Sequence, residues 1–290
     1  MSLSDRKTCF VTLAVGKKYR DHALTLAEDI RTITDNTPFV VLTDRPEVFP
    51  KSDSLIPLRH RVQSVGVYHG KLDYIDCIAA SFRLGFDDCI FLDADCRILQ
   101  NVTISRQWKL GLTAKSCYDL HKNLLTRESR ETGIYDFCQK IAGRYGIQIE
   151  GCKFIQEWIF VVCRDGNEDI FLQSWREICD ILERKRIFAG EGAAISMAAR
   201  IAGWSVYHYD TGYPEEAIRH RQIDVYKDKM FIRPESIPDS FQEKYQELEL
   251  QREGIEEQNP LLRKIHKITN LYGREIRYTR LKFKNSIDSL

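Results

Sequence analysis

Residues 90–98 read IFLDADCRI, in which a short apolar run ends at Asp93 and a second aspartate, Asp95, follows after one residue. Such a run is typical of a buried strand. In an extended chain, residues two apart point to the same side, so Asp93 and Asp95 can offer two carboxylates to one divalent cation, while Ala94 turns into the packing. We therefore expect a metal site where this strand ends, although two acids in a surface turn would give the same pattern.

Strands and helices alternate on both sides of this stretch. Apolar runs predict strands at 8–15, 38–43, 89–92, 153–163 and 204–209, and helical spacing predicts helices at 19–34, 70–84, 170–184 and 190–202. This alternation predicts an α/β fold with a Rossmann-like mixed, largely parallel sheet, whose ligands gather at the carboxyl ends of the strands. Segments 46–70 and 115–150 carry no such pattern and are predicted to be loops. Asp73 and Asp76, in the second helix, are expected to be solvated acids.

The composition excludes some classes of function. The chain has 290 residues, with 43 Lys and Arg against 42 Asp and Glu, so its charge gives no support for nucleic-acid binding. Nine cysteines without a Cys-x-x-Cys spacing fit a reducing compartment. The first residues lack the pattern of a signal peptide, and no apolar stretch is long enough to span a membrane. We expect a cytoplasmic location.

Positive charge is concentrated in the last thirty residues of the sequence. Residues 261–290 carry eight Lys or Arg against two acids, with apolar residues between them. We predict a catalytic domain at 1–215 and a helical, basic extension at 216–290. Within it, residues 261–284 suit a peripheral contact with the inner face of a membrane, or a terminal helix packed on the acidic remainder or on a partner subunit.

Several segments together resemble one enzyme family. The opening strand and helix with Tyr19, the 90–98 stretch, Gly190-Glu191-Gly192 and Tyr207-His208-Tyr209 follow the order of nucleotide-sugar glycosyltransferases of the A-type (GT-A) fold. The chain is most similar to family eight, the retaining, glycogenin-like enzymes, over about residues 8–215. The resemblance implies transfer of a hexose from a nucleotide diphosphate sugar, most simply a UDP-sugar, to a glycan or lipid-linked acceptor.

The resemblance also assigns binding residues. It implies that Asp93, Asp95 and His208 hold Mn²⁺, or Mg²⁺, against the diphosphate of the donor. A divalent cation stabilises the charge that gathers on the departing nucleoside diphosphate. Donor binding is implied for Ala14, Tyr19, Lys71 and Asp93, with Tyr19 near the base and Lys71 near the phosphates or the sugar.

Two glutamates are candidate catalytic residues. Glu191 opens a helix where, by the resemblance, the reacting sugar lies, and Glu157 is the second candidate. In an inverting enzyme Glu191 would deprotonate the acceptor hydroxyl; in a retaining enzyme it would stabilise the transition state or act as nucleophile. Both stereochemical outcomes stay open, and an acid in the first turn of a helix is also explained by the helix dipole.

Two other functions fit the same stretch. An apolar strand ending in Asp-x-Asp also occurs in haloacid-dehalogenase-like phosphatases, in which Asp93 would be the nucleophile. Such motifs normally lie near the start of the chain and have Thr or Val two residues after the second aspartate, where this chain has Arg97. A non-catalytic nucleotide-sugar-binding protein is the other alternative.

Overall fold

Short apolar segments form a seven-stranded sheet with helices between the strands. The structure is a computed structural model and describes residues 6–62, 69–99, 108–125, 133–185, 187, 190–208 and 218–220. The strands are β1 (Thr8–Ala14), β2 (Phe39–Thr43), β3 (Leu55–Arg59), β4 (Asp88–Leu92), β5 (Cys96–Ile98), β6 (Gly111–Asp119), β7 (Lys153–Cys163), β8 (Val206–His208) and β9 (Ile218–His220). The helices are α1 (Lys17–Ile33), α2 (His69–Arg83), α3 (Leu120–Leu124), α4 (Ile134–Tyr145), α5 (Glu168–Lys185) and α6 (Glu191–Ile201), with a 3₁₀ turn at Pro46–Val48.

The sheet is mixed and largely parallel, as predicted. Its strand order is β3-β2-β1-β4-β7-β6-β8. The pairs among β3, β2, β1 and β4 are parallel, β7 is antiparallel to both β4 and β6, and β8 is parallel to β6. A second, two-stranded sheet joins β5 to β9. The carboxyl ends of β1 to β4 therefore lie along one edge of the main sheet.

Aromatic rings fill the core on one side of the sheet. Phe91 of β4 and Phe160 of β7 are stacked with ring centroids 4.8 Å apart, and Trp175 of α5 meets Phe160 edge-on at 5.8 Å. All three side chains are almost completely buried. Burying three large aromatic side chains contributes several kcal/mol to folding and fixes β4 and β7 against α5.

Both predicted loops contain regular structure. Segment 46–70 includes β3, which the sequence concealed because Pro57 interrupts the strand pattern. Proline is tolerated in an edge strand, and β3 is the first strand in the sheet order. Segment 115–150 includes most of β6, α3 and α4. In α4, the buried Ile134, Phe137, Cys138 and Ile141 do keep helical spacing.

Some of the remaining predictions concern residues that the structure describes, and others concern residues that it does not describe. The eight cysteines whose side chains are described are buried and free. The predicted domain boundary at 215/216 and the basic segment 261–284 lie outside the described residues. Strand β9, which pairs with β5, lies within the range predicted as the extension. No helix in the described part of the chain is both long and apolar enough to cross a membrane.

Candidate functional site

The Asp-Ala-Asp sequence forms a tight turn at the carboxyl end of β4. The amide of Asp93 donates to the carbonyl of Trp158 at 2.9 Å, and the amide of Cys96 donates to the carbonyl of Asp93 at 3.0 Å. The second bond closes a four-residue turn that begins at Asp93, so the chain leaves the strand after Asp93 and Asp95 does not continue it as the sequence suggested. Ala94 is buried, as expected, and both carboxylates are half-buried.

Helix α2 holds the first of these carboxylates. The hydroxyl of Tyr74 donates a short hydrogen bond to Oδ1 of Asp93. Burial, reinforced by the negative charges of Asp93 and Asp95, raises the pKa of Tyr74 well above its ordinary value. The hydroxyl therefore stays protonated and remains a donor at physiological pH.

Strand β7 brings Glu157 to the same place. Leu92, the last residue of β4, pairs with Ile159 of the antiparallel β7. The residues of β7 that precede Ile159 therefore continue past the end of β4, beside the Asp-Ala-Asp turn. Glu157 is two residues before Ile159 and is half-buried.

Helix α6 begins in contact with that part of β7. A Cβ atom at Gly192 would lie only 1.9 Å from the carbonyl oxygen of Ile155, so the helix approaches the strand as closely as a glycine permits. Gly190, with φ +81°, forms the turn into the helix. Glu191 lies between these glycines, in the first helical turn, and is half-buried. The close packing thus places Glu191 near the segment of β7 that carries Glu157.

His208 lies on a different strand from this turn. His208 is an exposed residue at the end of β8 and pairs with Ala114 of β6. Ala114 pairs with Phe160, which pairs with Phe91 of β4, so His208 is three strands away from β4. At strand spacings near 4.8 Å, its backbone lies about 14 Å from that of Phe91.

A different histidine is next to the turn by backbone register. In the two-stranded sheet, His220 pairs with Cys96, the residue that follows Asp95. No sequence pattern marked this residue as a metal ligand. The pairing of β5 with β9 is set by residues 120 or more positions apart, which no local pattern reveals.

A second cluster of ligand-type side chains lies between β3 and α2. His60, Asp73 and Asp76 have ligand atoms within 4.8 Å of one another, and they are the one such group found in the described part of the chain. The expectation that Asp73 and Asp76 are solvated is wrong: Asp73 is buried, and Asp76 is half-buried. Asp73 precedes the buried Cys77 by one helical turn, which is the signal that marked its face of α2 as buried.

The side chains of this second cluster already bind one another and other side chains of the same chain. His60 Nε2 lies 2.7 Å from Oδ1 of Asp73, and Arg176 of α5 donates to Oδ1 of Asp76 at 2.5 Å. A guanidinium beside a carboxylate neutralises it and disfavours a cation at the same place. The arrangement therefore ties the start of α2 to β3 and to α5.

The predicted donor residues lie along the same edge of the sheet. Ala14 is the buried last residue of β1, and Tyr19 is 45% exposed in the first turn of α1. Lys71 is in the first turn of α2, but its side chain lies outside the described residues.

Asp44, which the sequence analysis did not single out, follows β2 on this edge. It accepts hydrogen bonds from the Gly16 amide at 3.2 Å and from Arg20 at 2.7 Å. Burial raises the pKa of Asp44, but the bonds from Arg20 and Gly16 outweigh it and leave the pKa below its ordinary value.

Comparison with protein-family models and with curated proteins found no match to this sequence.

Proposed function

We propose that this protein is a metal-dependent glycosyltransferase of the GT-A type, which moves a hexose from a nucleotide diphosphate sugar, most simply a UDP-sugar, to a glycan or lipid-linked acceptor. The observation that supports it is the Asp-Ala-Asp turn at the end of β4, with Glu157 of β7 beside it and the start of α6 packed against β7. In our proposal Asp93 and Asp95 hold a cation, and Glu157 and Glu191 are the candidate catalytic acids, at the edge of a largely parallel sheet where α/β folds bind ligands.

The donor set fits a hard divalent cation. Asp93 and Asp95 supply carboxylate oxygens, which suit Mn²⁺ and Mg²⁺, and a histidine ligand would favour Mn²⁺. A bound cation would neutralise the charge that gathers on the departing nucleoside diphosphate. His208 is the sequence-based choice for the histidine, and His220, whose backbone pairs with Cys96, is a second candidate.

We propose that Glu191, or alternatively Glu157, acts on the sugar and the acceptor during transfer. In our proposal Glu191 acts at the anomeric centre, either as a base that takes the proton of the acceptor hydroxyl or as the group that stabilises the transition state. Glu157 lies nearer to the Asp-Ala-Asp turn by its register in β7 and is the alternative for the same task. Ala14, Tyr19 and Lys71 line the donor side.

The sequence of residues 261–284 supports the proposed acceptor and location. A lipid-linked acceptor would give the basic segment 261–284 a role in peripheral membrane contact. We propose a cytoplasmic protein that reaches such an acceptor at the inner face of a membrane.

A transfer assay tests this proposal. Purified protein is incubated with Mn²⁺ and a panel of nucleotide sugars, and release of nucleoside diphosphate is measured with and without glycan and lipid acceptors. The expected result is metal-dependent turnover of one donor, reduced about 10²–10⁴-fold by Glu191→Gln. Glu157→Gln is the matched variant, and a larger loss there would transfer the catalytic role to Glu157.

The third ligand is tested by its own pair of variants. We expect His208→Ala to weaken Mn²⁺ binding, and His220→Ala is the comparison variant. Unchanged binding in His208→Ala together with weaker binding in His220→Ala would transfer the ligand role to His220. Release of phosphate from phosphorylated substrates, without use of any nucleotide sugar, would favour the phosphatase alternative. Donor binding without turnover would indicate a binding protein.

A further inference from the structure

Tyr74 belongs to a column of packed aromatic rings that ends at the candidate metal site. Its ring lies on that of Phe91, with centroids 4.1 Å apart, and Phe91 stacks in turn on Phe160 at 4.8 Å. Phe91 and Phe160 are fully buried, and the edge of Trp175 closes the column from α5. Packed rings of this kind have little rotational freedom, so the position of the Tyr74 hydroxyl is fixed by the core.

The geometry of β4 explains why this hydroxyl meets Asp93. Phe91 and Asp93 are two residues apart at the end of the strand, a separation of about 6.6 Å along the chain. A tyrosine ring that lies over Phe91 therefore carries its hydroxyl to the next side chain on the same side. The hydroxyl donates to Oδ1 of Asp93.

We infer that Tyr74 is a positioning residue, which sets the orientation of the Asp93 carboxylate for a divalent cation. This inference rests on the proposed function, because it takes Asp93 as a metal ligand. A carboxylate has about four lone-pair sites, so it can accept a hydrogen bond and still ligate a cation. Hydrogen-bond partners of metal ligands fix their rotamers, and their loss typically weakens metal binding about 10–100-fold.

The test is Tyr74→Phe, which keeps the ring and removes only the hydroxyl. Mn²⁺ alone is titrated calorimetrically into the full-length protein, and we expect its affinity to fall about 10–100-fold. Tyr145→Phe is the matched control. Tyr145 also donates to a carboxylate, that of Glu177, but it does so between α4 and α5. This control should bind Mn²⁺ like the unaltered protein.

A second measurement does not depend on how well the variant folds. If Tyr74 contacts a metal ligand, Mn²⁺ added to the unaltered protein should change the tyrosine ultraviolet difference spectrum in proportion to binding. The absence of this change would overturn the inference.

The outcomes separate the inference from the function on which it rests. Absence of Mn²⁺ binding to the unaltered protein would overturn the metal site and the inference with it. Binding that is lost in Asp95→Ala but unchanged in Tyr74→Phe would overturn the role of Tyr74 and leave the proposed function standing. Equal weakening in both tyrosine variants would show a general effect of hydroxyl loss and would also overturn the inference.

Discussion

Gly192 lies closer to the backbone of Ile155 than any residue with a side chain allows. A Cβ atom there would be 1.9 Å from the Ile155 carbonyl oxygen and 3.0 Å from the ring of Phe154. Because the obstacle is backbone, no rotamer change relieves the contact, and α6 would have to move away from β7. Glu191, the neighbouring residue, would move with it.

We therefore expect Gly192→Ala to lower the free energy of unfolding by about 1–3 kcal/mol or more, which is the usual cost of overpacking. The variant should lose transfer activity and retain Mn²⁺ affinity, since Asp93 and Asp95 lie on a different element. Chemical denaturation and the transfer assay measure the two effects. Gly143→Ala is the control, because Gly143 is an exposed helical glycine with open space around it. There alanine should be neutral or stabilising. Equal stability of the two variants would show that the close contact is absent.

Individual residues also show which features could be predicted from the sequence and which could not. The acids of the Asp-Ala-Asp turn were identifiable because an apolar run leads directly into them. Asp73 was taken for a surface acid because its partner, His60, is supplied by a different element after an intervening segment. A buried polar pair of this kind is visible only when both elements are placed.

At the scale of elements, α1 and β2 are joined at the predicted donor side by Asp44. The start of α1 presents the Gly16 amide and the Arg20 guanidinium to this carboxylate. The folded protein holds the pKa of Asp44 below its ordinary value, so folding is favoured by the ionised form. This stabilisation is complete above the unfolded-state pKa, about 3.9, and disappears as pH falls through the lower folded-state pKa.

Asp44→Asn should accordingly reduce stability at pH 7, and the difference from the unaltered protein should shrink below about pH 4. Urea denaturation at a series of pH values measures this. Asp21→Asn is a suitable control, because Asp21 forms an exposed pair with Lys17 in the same helix, and such pairs contribute little to stability. If Asp44→Asn lowers the free energy of unfolding as much at pH 3 as at pH 7, the account is contradicted.

The elements themselves differ in how well the sequence predicts them. Strand β7 agrees with its predicted range because Phe154, Ile155 and the apolar run 158–163 outweigh its few polar residues. Strand β3 was missed because Pro57 breaks its pattern, and only its place at the sheet edge makes the proline acceptable. The pairing of β5 with β9, and with it the position of His220, depends on long-range contacts.

At the scale of the whole molecule, polar side chains that could bind a ligand lie along one edge of the sheet. The sequence predicts that strand ends gather ligands, and the structure places Asp44, His60 and Asp93 directly after β2, β3 and β4. Which of these side chains are available to a ligand was not predictable, because Arg20 pairs with Asp44 and Asp73 with His60. Packing between distant elements decides that question.

The central claim is that Asp93 and Asp95 hold a cation that binds a nucleotide sugar. The most direct measurement is calorimetric titration of a panel of nucleotide sugars into the protein with and without Mn²⁺, repeated on Asp95→Ala. We predict that one donor binds only when Mn²⁺ is present and that the variant loses this binding. Failure of every donor to bind in the presence of Mn²⁺, or binding that Asp95→Ala leaves unchanged, would contradict the account.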